Sequence, residues 1–161
     1  MNPSTETLAD RDLVITRLID AAPEHLYRAW TEPELLKQWF TPPPWTVSHA
    51  ELDVRPGGSQ LIIMNGPDGE VNPCRGIYLE VIPNERLVAT DAFVNAWEPS
   101  EKAFMTTDIT FVPEAGKTRY TATVRHWSAA DRKMHEDMGF HQGWNQATDQ
   151  LVEIAKSLGS C

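Results

Sequence analysis

The last third of the chain carries one helical pattern that constrains how the rest can fold. After the polar segment 128–131, apolar and polar-tipped side chains recur three or four residues apart over nearly thirty residues. They are Met134, Met138, His141, Trp144, Leu151, Ile154 and Leu158. This spacing predicts one long amphipathic helix. Because residues 46–127 have the pattern of short strands and turns, the helix can bury its apolar face only against an antiparallel sheet.

The pattern before this helix predicts a sheet and two short helices. An alternating strand over residues 13–19 is followed by helices that begin near Pro23 and Pro33, and the prolines at 42–44 end the second helix. Turns rich in Gly, Pro and Asn then separate six strands. We place these strands near 46–53, 58–65, 71–82, 85–93, 103–112 and 117–127. The predicted class is α+β, with a curved antiparallel sheet of about seven strands wrapped on the long C-terminal helix.

Composition bounds the number of domains and the partners. A chain of 161 residues supports one sizeable core, and the formal net charge is −9. That charge disfavours binding to nucleic acid and to an anionic membrane surface. The polar N-terminus lacks a secretory signal and Cys74 and Cys161 are the only cysteines, so we expect a cytoplasmic protein. The predicted organisation is a flexible tail (1–11), one domain (12–158) and a C-terminal tail (159–161).

Five segments occur in the order typical of a known superfamily. They are residues 29–40 (AWTEPELLKQWF), 53–58 (DVRPGG), 76–81 (GIYLEV), 116–119 (GKTR) and 138–144 (MGFHQGW). In this order they resemble the START-like, or SRPBCC, superfamily, and within it the bacterial homologues of the activator of the heat-shock chaperone ATPase. The resemblance implies a helix-grip fold over residues 12–158. It leaves the function open, because the superfamily contains lipid carriers, cyclases and hydroxylase domains.

The sequence offers no recognisable metal site. None of the five histidines forms a pair at the spacing of a zinc-binding motif, and neither cysteine belongs to a Cys-x-x-Cys motif. We therefore expect no metal and no cofactor. Gly143, in the middle of the predicted helix, is expected to permit close packing against a neighbouring element, since glycine there costs about 1 kcal/mol relative to alanine.

Side chains on two elements predict a cavity between the sheet and the long helix. In the last strand, His126 shares the more apolar face with Tyr120 and should point towards the helix. Met138 and His141 suit the wall of a cavity better than a close-packed core, because methionine adapts to irregular space and histidine needs a polar partner. We expect a volume of roughly a few hundred Å³. The predicted ligand-binding residues are Trp39, Phe40, Tyr78, Met105, His126, Met138 and His141.

Three functions remain open at this level. The first is binding of a small hydrophobic or aromatic molecule in the predicted cavity. The second is an enzyme of cyclase or dehydratase type, in which His126 or His141 moves a proton and Tyr78 or Tyr120 donates a hydrogen bond. The third, implied by the resemblance, is a chaperone-associated cofactor. In the eukaryotic activators, a separate N-terminal domain makes much of the chaperone contact. A chain of 161 residues is too short to carry that domain as well, so direct ATPase activation is not expected. We favour the non-enzymatic function and leave homodimer formation open.

Overall fold

The protein is described over residues 8–159 by a computed structural model. The strands are β1 (Asp12–Ile19), β2 (Thr46–Leu52), β3 (Ser59–Asn65), β4 (Val71–Ile82), β5 (Arg86–Thr90), β6 (Phe93–Asn95), β7 (Glu98–Pro99), β8 (Met105–Glu114) and β9 (Lys117–His126). The helices are α1 (Pro23–Thr31), α2 (Pro33–Leu36), α3 (Ala129–Asp137) and α4 (Phe140–Gly159). Residues Leu8–Arg11, expected in the N-terminal tail, form a 3₁₀ turn. The remainder of both predicted tails, apart from Gly159, lies outside the described residues.

Seven of the strands form one antiparallel sheet in the order β1-β9-β8-β5-β4-β3-β2, and β6 pairs with β7 in a separate hairpin. The two short helices follow β1, as the sequence predicts, and α1 packs against α4. This arrangement confirms the predicted helix-grip fold. Within residues 8–159, none of the helices combines the length and the apolar character that crossing a membrane requires.

The predicted single long helix is wrong, because the chain breaks at Gly139. This residue adopts a φ of +97°, which glycine reaches without the clash that a Cβ causes. The amide of Gly139 donates to the carbonyl of Glu136 at 3.0 Å, a contact typical of a helix end. The two helices also differ in burial: α3 buries none of its side chains, whereas α4 buries five residues. Only α4 is therefore anchored in the core.

The inner face of the sheet and α4 form the main core. Leu151 and Ala155 of α4 are fully buried, and Phe111 and Tyr120 on the facing strands are each only 1% exposed. Aromatic rings fill the space under α1 and α2: the Trp30 and Trp39 rings meet edge to face with centroids 4.8 Å apart. The indole of Trp39 also donates to the carbonyl of Ala29 at 2.9 Å, so its one polar atom is satisfied. The sheet and α4 are thus joined by a packed aromatic and aliphatic core.

The outer face of the sheet carries a chain of ion pairs across five neighbouring strands. Asp108 of β8, buried at 8% side-chain exposure, accepts two hydrogen bonds from Arg86 at 2.9 and 2.7 Å. Arg125 adds a third at 3.0 Å and approaches Asp12 at 4.0 Å, while Glu80 accepts from Arg86 at 3.0 Å. Burial alone would raise the pKa of Asp108, but the hydrogen bonds and charges of both arginines outweigh it and lower the pKa.

The ion pairs predict that neutralising Asp108, which lies at their centre, lowers the stability of the protein strongly. Asp108→Asn should lower the free energy of unfolding by about 1–3 kcal/mol, because two arginines lose a charged partner. The matched control is Glu114→Gln, which removes the exposed pair with Arg119 and should cost less than about 1 kcal/mol. Urea unfolding monitored by circular dichroism measures both values. Equal costs for the two variants would contradict this account of the sheet.

Two glycines near the helix break should respond to alanine in opposite directions. The expectation that Gly143 permits close packing is wrong: among the described residues, a Cβ placed there would have no atom within 4 Å. Gly143→Ala should therefore stabilise the protein by about 0.5–1 kcal/mol through helix propensity. Gly139→Ala should destabilise it by about 1–2 kcal/mol, since alanine is strained at positive φ. Denaturant midpoints that move in the same direction would refute the assignment of the break.

Candidate functional site

The predicted ligand-binding residues separate into three groups in the structure. Trp39 and Phe40 lie in the main core near α1, with ring centroids 5.6 Å apart, and Tyr78 is buried in the same core. Met105 and His126 are register partners on β8 and β9, so their side chains lie together on the inner face of the sheet. Met138 and His141 lie elsewhere, on the protein surface.

The expected inward orientation of Met138 and His141 is wrong. Met138 is 72% exposed, and the exposed imidazole of His141 contacts the Glu136 carboxylate at 3.0 Å. The physical reason is the helix break: Met138 follows the last residue of α3, and His141 lies in the first turn of α4, so the helical periodicity does not continue across Gly139. The argument for a cavity that rested on these two residues is lost with it.

The two tyrosines of the catalytic alternative are both buried. A β-bulge follows Tyr78 in β4 and changes which side chains of that strand face inwards. With this bulge, the Tyr78 side chain lies in the main core. Tyr120 accepts a hydrogen bond from the Trp30 indole at 3.2 Å. Burial raises the pKa of both hydroxyls well above the usual value. Both tyrosines therefore stay protonated at neutral pH, as the hydrogen-bond donor of that alternative must be.

Among the clefts on the described part of the chain are two open ones, and neither is lined by His126. One has a volume of about 270 Å³. It is lined by Lys37, Gln38, Thr41, Pro43, Pro44, Trp45, Thr46, Val47 and Gln150. The other has a volume of about 370 Å³ and is lined by Asp20, Ala21, Ala22, His25, Ala155, Lys156 and Gly159. Neither contains a residue that the sequence analysis assigned to the ligand, and neither corresponds to the predicted cavity between the sheet and the helix.

The most distinctive polar feature of the interior is a pair of imidazoles under α3. His126, which is 5% exposed, places Nε2 at 2.9 Å from Nδ1 of His135. Its Nδ1 lies 2.9 Å from the carbonyl oxygen of Arg11. A carbonyl oxygen only accepts, so Nδ1 of His126 carries a proton, and when this imidazole is neutral its Nε2 accepts from His135. No group of three His, Cys, Asp or Glu side chains in residues 8–159 is arranged to hold a metal ion.

Aromatic rings surround the imidazole pair. Phe104 packs against both imidazoles, with centroids 5.4 Å from His126 and 5.0 Å from His135. Phe140, the first residue of α4, lies 5.1 Å from His135, and Trp144 lies 5.2 Å from Phe140. These five rings form a continuous cluster, which we call the α3 cluster. It lies between α3, the end of the sheet and the start of α4.

Asp91 holds one wall of the α3 cluster in place. Its Oδ1 accepts hydrogen bonds from the backbone amides of Phe104 at 2.8 Å and Met105 at 3.1 Å. The loop between β7 and β8 is thereby fixed so that the Phe104 ring covers the imidazoles. Burial raises the pKa of Asp91, although the hydrogen bonds from these amides act in the opposite direction.

The environment keeps His135 neutral. Burial and the neighbouring His126 lower the pKa of His135 from 6.5 to about 4. Near pH 7 the imidazole therefore has one protonated and one unprotonated nitrogen, and it can accept a hydrogen bond without carrying charge. The site combines apolar rings with a few convergent polar atoms, which is the usual composition of a small-molecule site.

Sequence reasoning found two members of this region, Met105 and His126, and missed the others. On a single continuous helix, His135 and His141 diverge by roughly 120°, and the stripe of apolar residues selects His141 as the inward one. The signal that selects His135 was Gly139, because a glycine between two helical segments is a common helix end. Nothing in the pattern brought Asp91 or Phe104 to His126, since their contact depends on how a long loop folds back.

The fold and this arrangement define the protein first as an α+β domain of the helix-grip class, in which an antiparallel sheet closes on a C-terminal helix. Residues 20–156 match the family described as activator of Hsp90 ATPase homolog 1-like protein, and the chain belongs to that family. This match confirms the resemblance to the SRPBCC superfamily.

Solved structures from several bacteria share the fold. A protein of Nitrosomonas europaea is 40% identical, with a TM-score of 0.90 over 94% of this chain and 97% of that one. One from Mycobacterium smegmatis is 25% identical, with a TM-score of 0.77 over 92% of each chain. One from Chromobacterium violaceum is 27% identical, with a TM-score of 0.73 over 90% of this chain and 96% of that one. No curated protein matches the chain.

The lowered pKa of His135 predicts a loss of stability in acid. The unfolded imidazole binds a proton near pH 6.5 and the folded one only near pH 4, so between these values the unfolded state binds more protons. Stability should therefore fall as the pH falls through this range. The unfolding free energy of the wild type minus that of His135→Gln, measured at each pH, isolates the contribution. A difference that stays constant with pH would show that His135 titrates normally in the folded protein.

Proposed function

We propose that the protein binds a small hydrophobic or aromatic molecule at the α3 cluster, between α3, the end of the sheet and the start of α4. One observation carries the proposal: the buried imidazole of His126 contacts the half-buried imidazole of His135, a residue of α3, among aromatic rings. Two imidazoles are unfavourable in a core that serves only packing, because buried polar groups stabilise a protein only when they are fully hydrogen-bonded.

The attachment of α3 suits a cover that opens. The helix begins at a capped end, where the Ser128 hydroxyl accepts from the amide of Asp131 at 3.1 Å, and it ends at the glycine at position 139. Because no side chain of α3 is fully buried, the helix itself loses little buried apolar area when it moves away, and what it uncovers is the ring surface of Phe104 and Phe140 that His135 covers. The α4 helix, by contrast, is anchored by Leu151 and Ala155 and would stay in place.

The chemistry of the exposed surface then determines what can bind. Moving α3 aside would uncover the Phe104, Phe140 and Trp144 rings together with the free side of His126. Flat apolar walls with one polar anchor favour an aromatic or hydrophobic molecule. The two open clefts suit such a ligand less, because polar side chains such as Lys37 and Gln38 in one and Asp20 and Lys156 in the other contribute to their walls.

The enzyme alternative has one observation in its favour. His126 lies within hydrogen-bond distance of a second titratable group, His135, as acid–base catalysis requires. A general base works best with a pKa near the working pH, whereas that of His135 is lowered to about 4. The imidazole that lies beside a carboxylate, His141, is on the surface. The geometry therefore supports binding better than catalysis.

The chaperone-associated alternative is favoured by exposed methionines. Met134 and Met138, four residues apart on the outer side of α3, are 43% and 72% exposed. Exposed apolar side chains are typical of protein contact surfaces. If Met138→Ser lost binding to a chaperone but retained binding of the small molecule, that result would favour this alternative.

A fluorescent probe tests the proposed site. N-phenyl-1-naphthylamine is neutral and aromatic, and its emission rises in apolar surroundings. We expect saturable binding, and at least about tenfold weaker binding in Trp144→Ala, since an aromatic wall of the site is lost. The matched control is Trp97→Ala: Trp97 is 77% exposed in the β6–β7 hairpin, and its removal should leave the affinity unchanged.

The result that would overturn the proposal is equally specific. Probe binding that is unaffected by Trp144→Ala but lost in Trp97→Ala would show that the probe binds at the β6–β7 hairpin and not at the α3 cluster. Circular dichroism of each variant ensures that a loss of binding is not a loss of fold, and Phe104→Leu, which removes the ring but keeps an apolar side chain, provides a milder second variant.

A further inference from the structure

When both imidazoles are neutral, the pair has one hydrogen-bond direction, and this direction selects the ligand. We infer that the α3 cluster binds a neutral molecule that donates a hydrogen bond, such as a phenol, an alcohol or an N–H heterocycle, in preference to a carboxylate or a molecule without a donor. The inference rests on the proposed function and specifies the chemical class of its ligand.

The direction follows from the first acceptor in the chain of hydrogen bonds. The Arg11 carbonyl oxygen, 2.9 Å from Nδ1 of His126, can only accept a proton. Neutral His126 then carries its proton on Nδ1 and presents a lone pair at Nε2, which accepts from Nδ1 of His135. Neutral His135 has its single proton in that hydrogen bond, so its Nε2 is also a lone pair. The chain therefore starts at a carbonyl and ends at an acceptor.

The terminal acceptor is available to a ligand. Among the residues that the structure describes, Nε2 of His135 has no hydrogen-bond partner, while its ring lies between Phe104 and Phe140. Successive hydrogen bonds in one direction also polarise each other and strengthen the last acceptor.

Charge on the surrounding groups excludes an anionic ligand. A carboxylate could pair with the site only by protonating an imidazole, and the burial that lowers the pKa of His135 to about 4 opposes this at neutral pH. The nearby Asp91 carboxylate would add repulsion. On α3 itself, Arg132 contacts Glu136 at 3.5 Å, so this cation already has an acidic partner. A neutral donor meets none of these costs.

Three ligands of matched shape test the inference. They are 4-propylphenol, which donates, 4-propylanisole, whose methyl group removes the donor, and 4-propylbenzoate, which is an anion at neutral pH. Calorimetry should show the phenol binding about five- to tenfold more tightly than either of the others, the effect of one hydrogen bond in an apolar site. Long-range ¹H–¹⁵N spectra should show His135 remaining neutral, with its unprotonated nitrogen shifted as it accepts from the phenol.

Variants of two histidines complete the test: His135, which belongs to the site, and His141, which is exposed. His135→Phe keeps an aromatic ring but removes the acceptor, and should bring the affinities for the phenol and the anisole within about twofold of each other. His141→Gln, on the surface, should preserve the wild-type preference. If His135→Phe does not fold, the preference of the wild type and the imidazole spectra decide the matter alone.

The outcomes separate this inference from the proposed function. Equal affinities for the phenol and the anisole, or tighter binding of the benzoate, accompanied by changes in the imidazole spectra, would overturn the donor preference and leave the binding site intact. A preference for the phenol that survives in His135→Phe would also overturn it. If none of the three compounds changes the imidazole spectra and N-phenyl-1-naphthylamine fails to bind, the proposed function falls and the donor preference falls with it.

Discussion

The packing of α4 against the inner face of the sheet is the interaction on which the other features depend. Without this helix, the apolar side of seven strands would face water, and no other described helix buries enough apolar surface to replace it. Small residues at the contact, Ala147 and Ala155, let the helix lie close to the strands, while Leu151 fills the space between them. Because α4 and α1 cover the sheet, the core does not depend on α3, and a weakly attached cover becomes compatible with a stable domain.

The imidazole pair shows how such a domain can hold polar groups next to its core at little cost. Each nitrogen of His126 has a partner, and the backbone carbonyl at one end sets the positions of both protons. Charging either imidazole would place an uncompensated charge among aromatic rings, which explains why the pKa of His135 is lowered. The same features that keep the pair neutral make it an acceptor. The chemistry of the proposed site is thus a consequence of where α3 lies over the sheet, with Asp91 and the Phe104 loop completing the enclosure.

Much of the fold could be predicted from the sequence because its signals are local. Turn residues mark the strand ends, the prolines mark the helices after β1, and the alternation in β9 correctly turns Tyr120 and His126 inwards. The prediction failed where a single residue interrupts a period. Met134, Met138 and His141 recur with helical spacing in the sequence. Gly139 at positive φ, however, separates α3 from α4, so the three residues do not share one helix. Met138 and His141 consequently lie on the surface, and Gly143 faces open space.

The sequence by itself determined the class of the fold, the order of its elements and the inner face of its last strand, because each of these depends on spacing along the chain. Only the tertiary structure decided that His135, rather than His141, meets His126, and that Phe104 and Asp91 enclose the pair. The reason is physical: contacts between residues distant in the chain depend on the angle between two helices and on the path of a loop. One glycine dihedral angle and two amide–carboxylate hydrogen bonds set these, and neither leaves a periodic trace in the sequence.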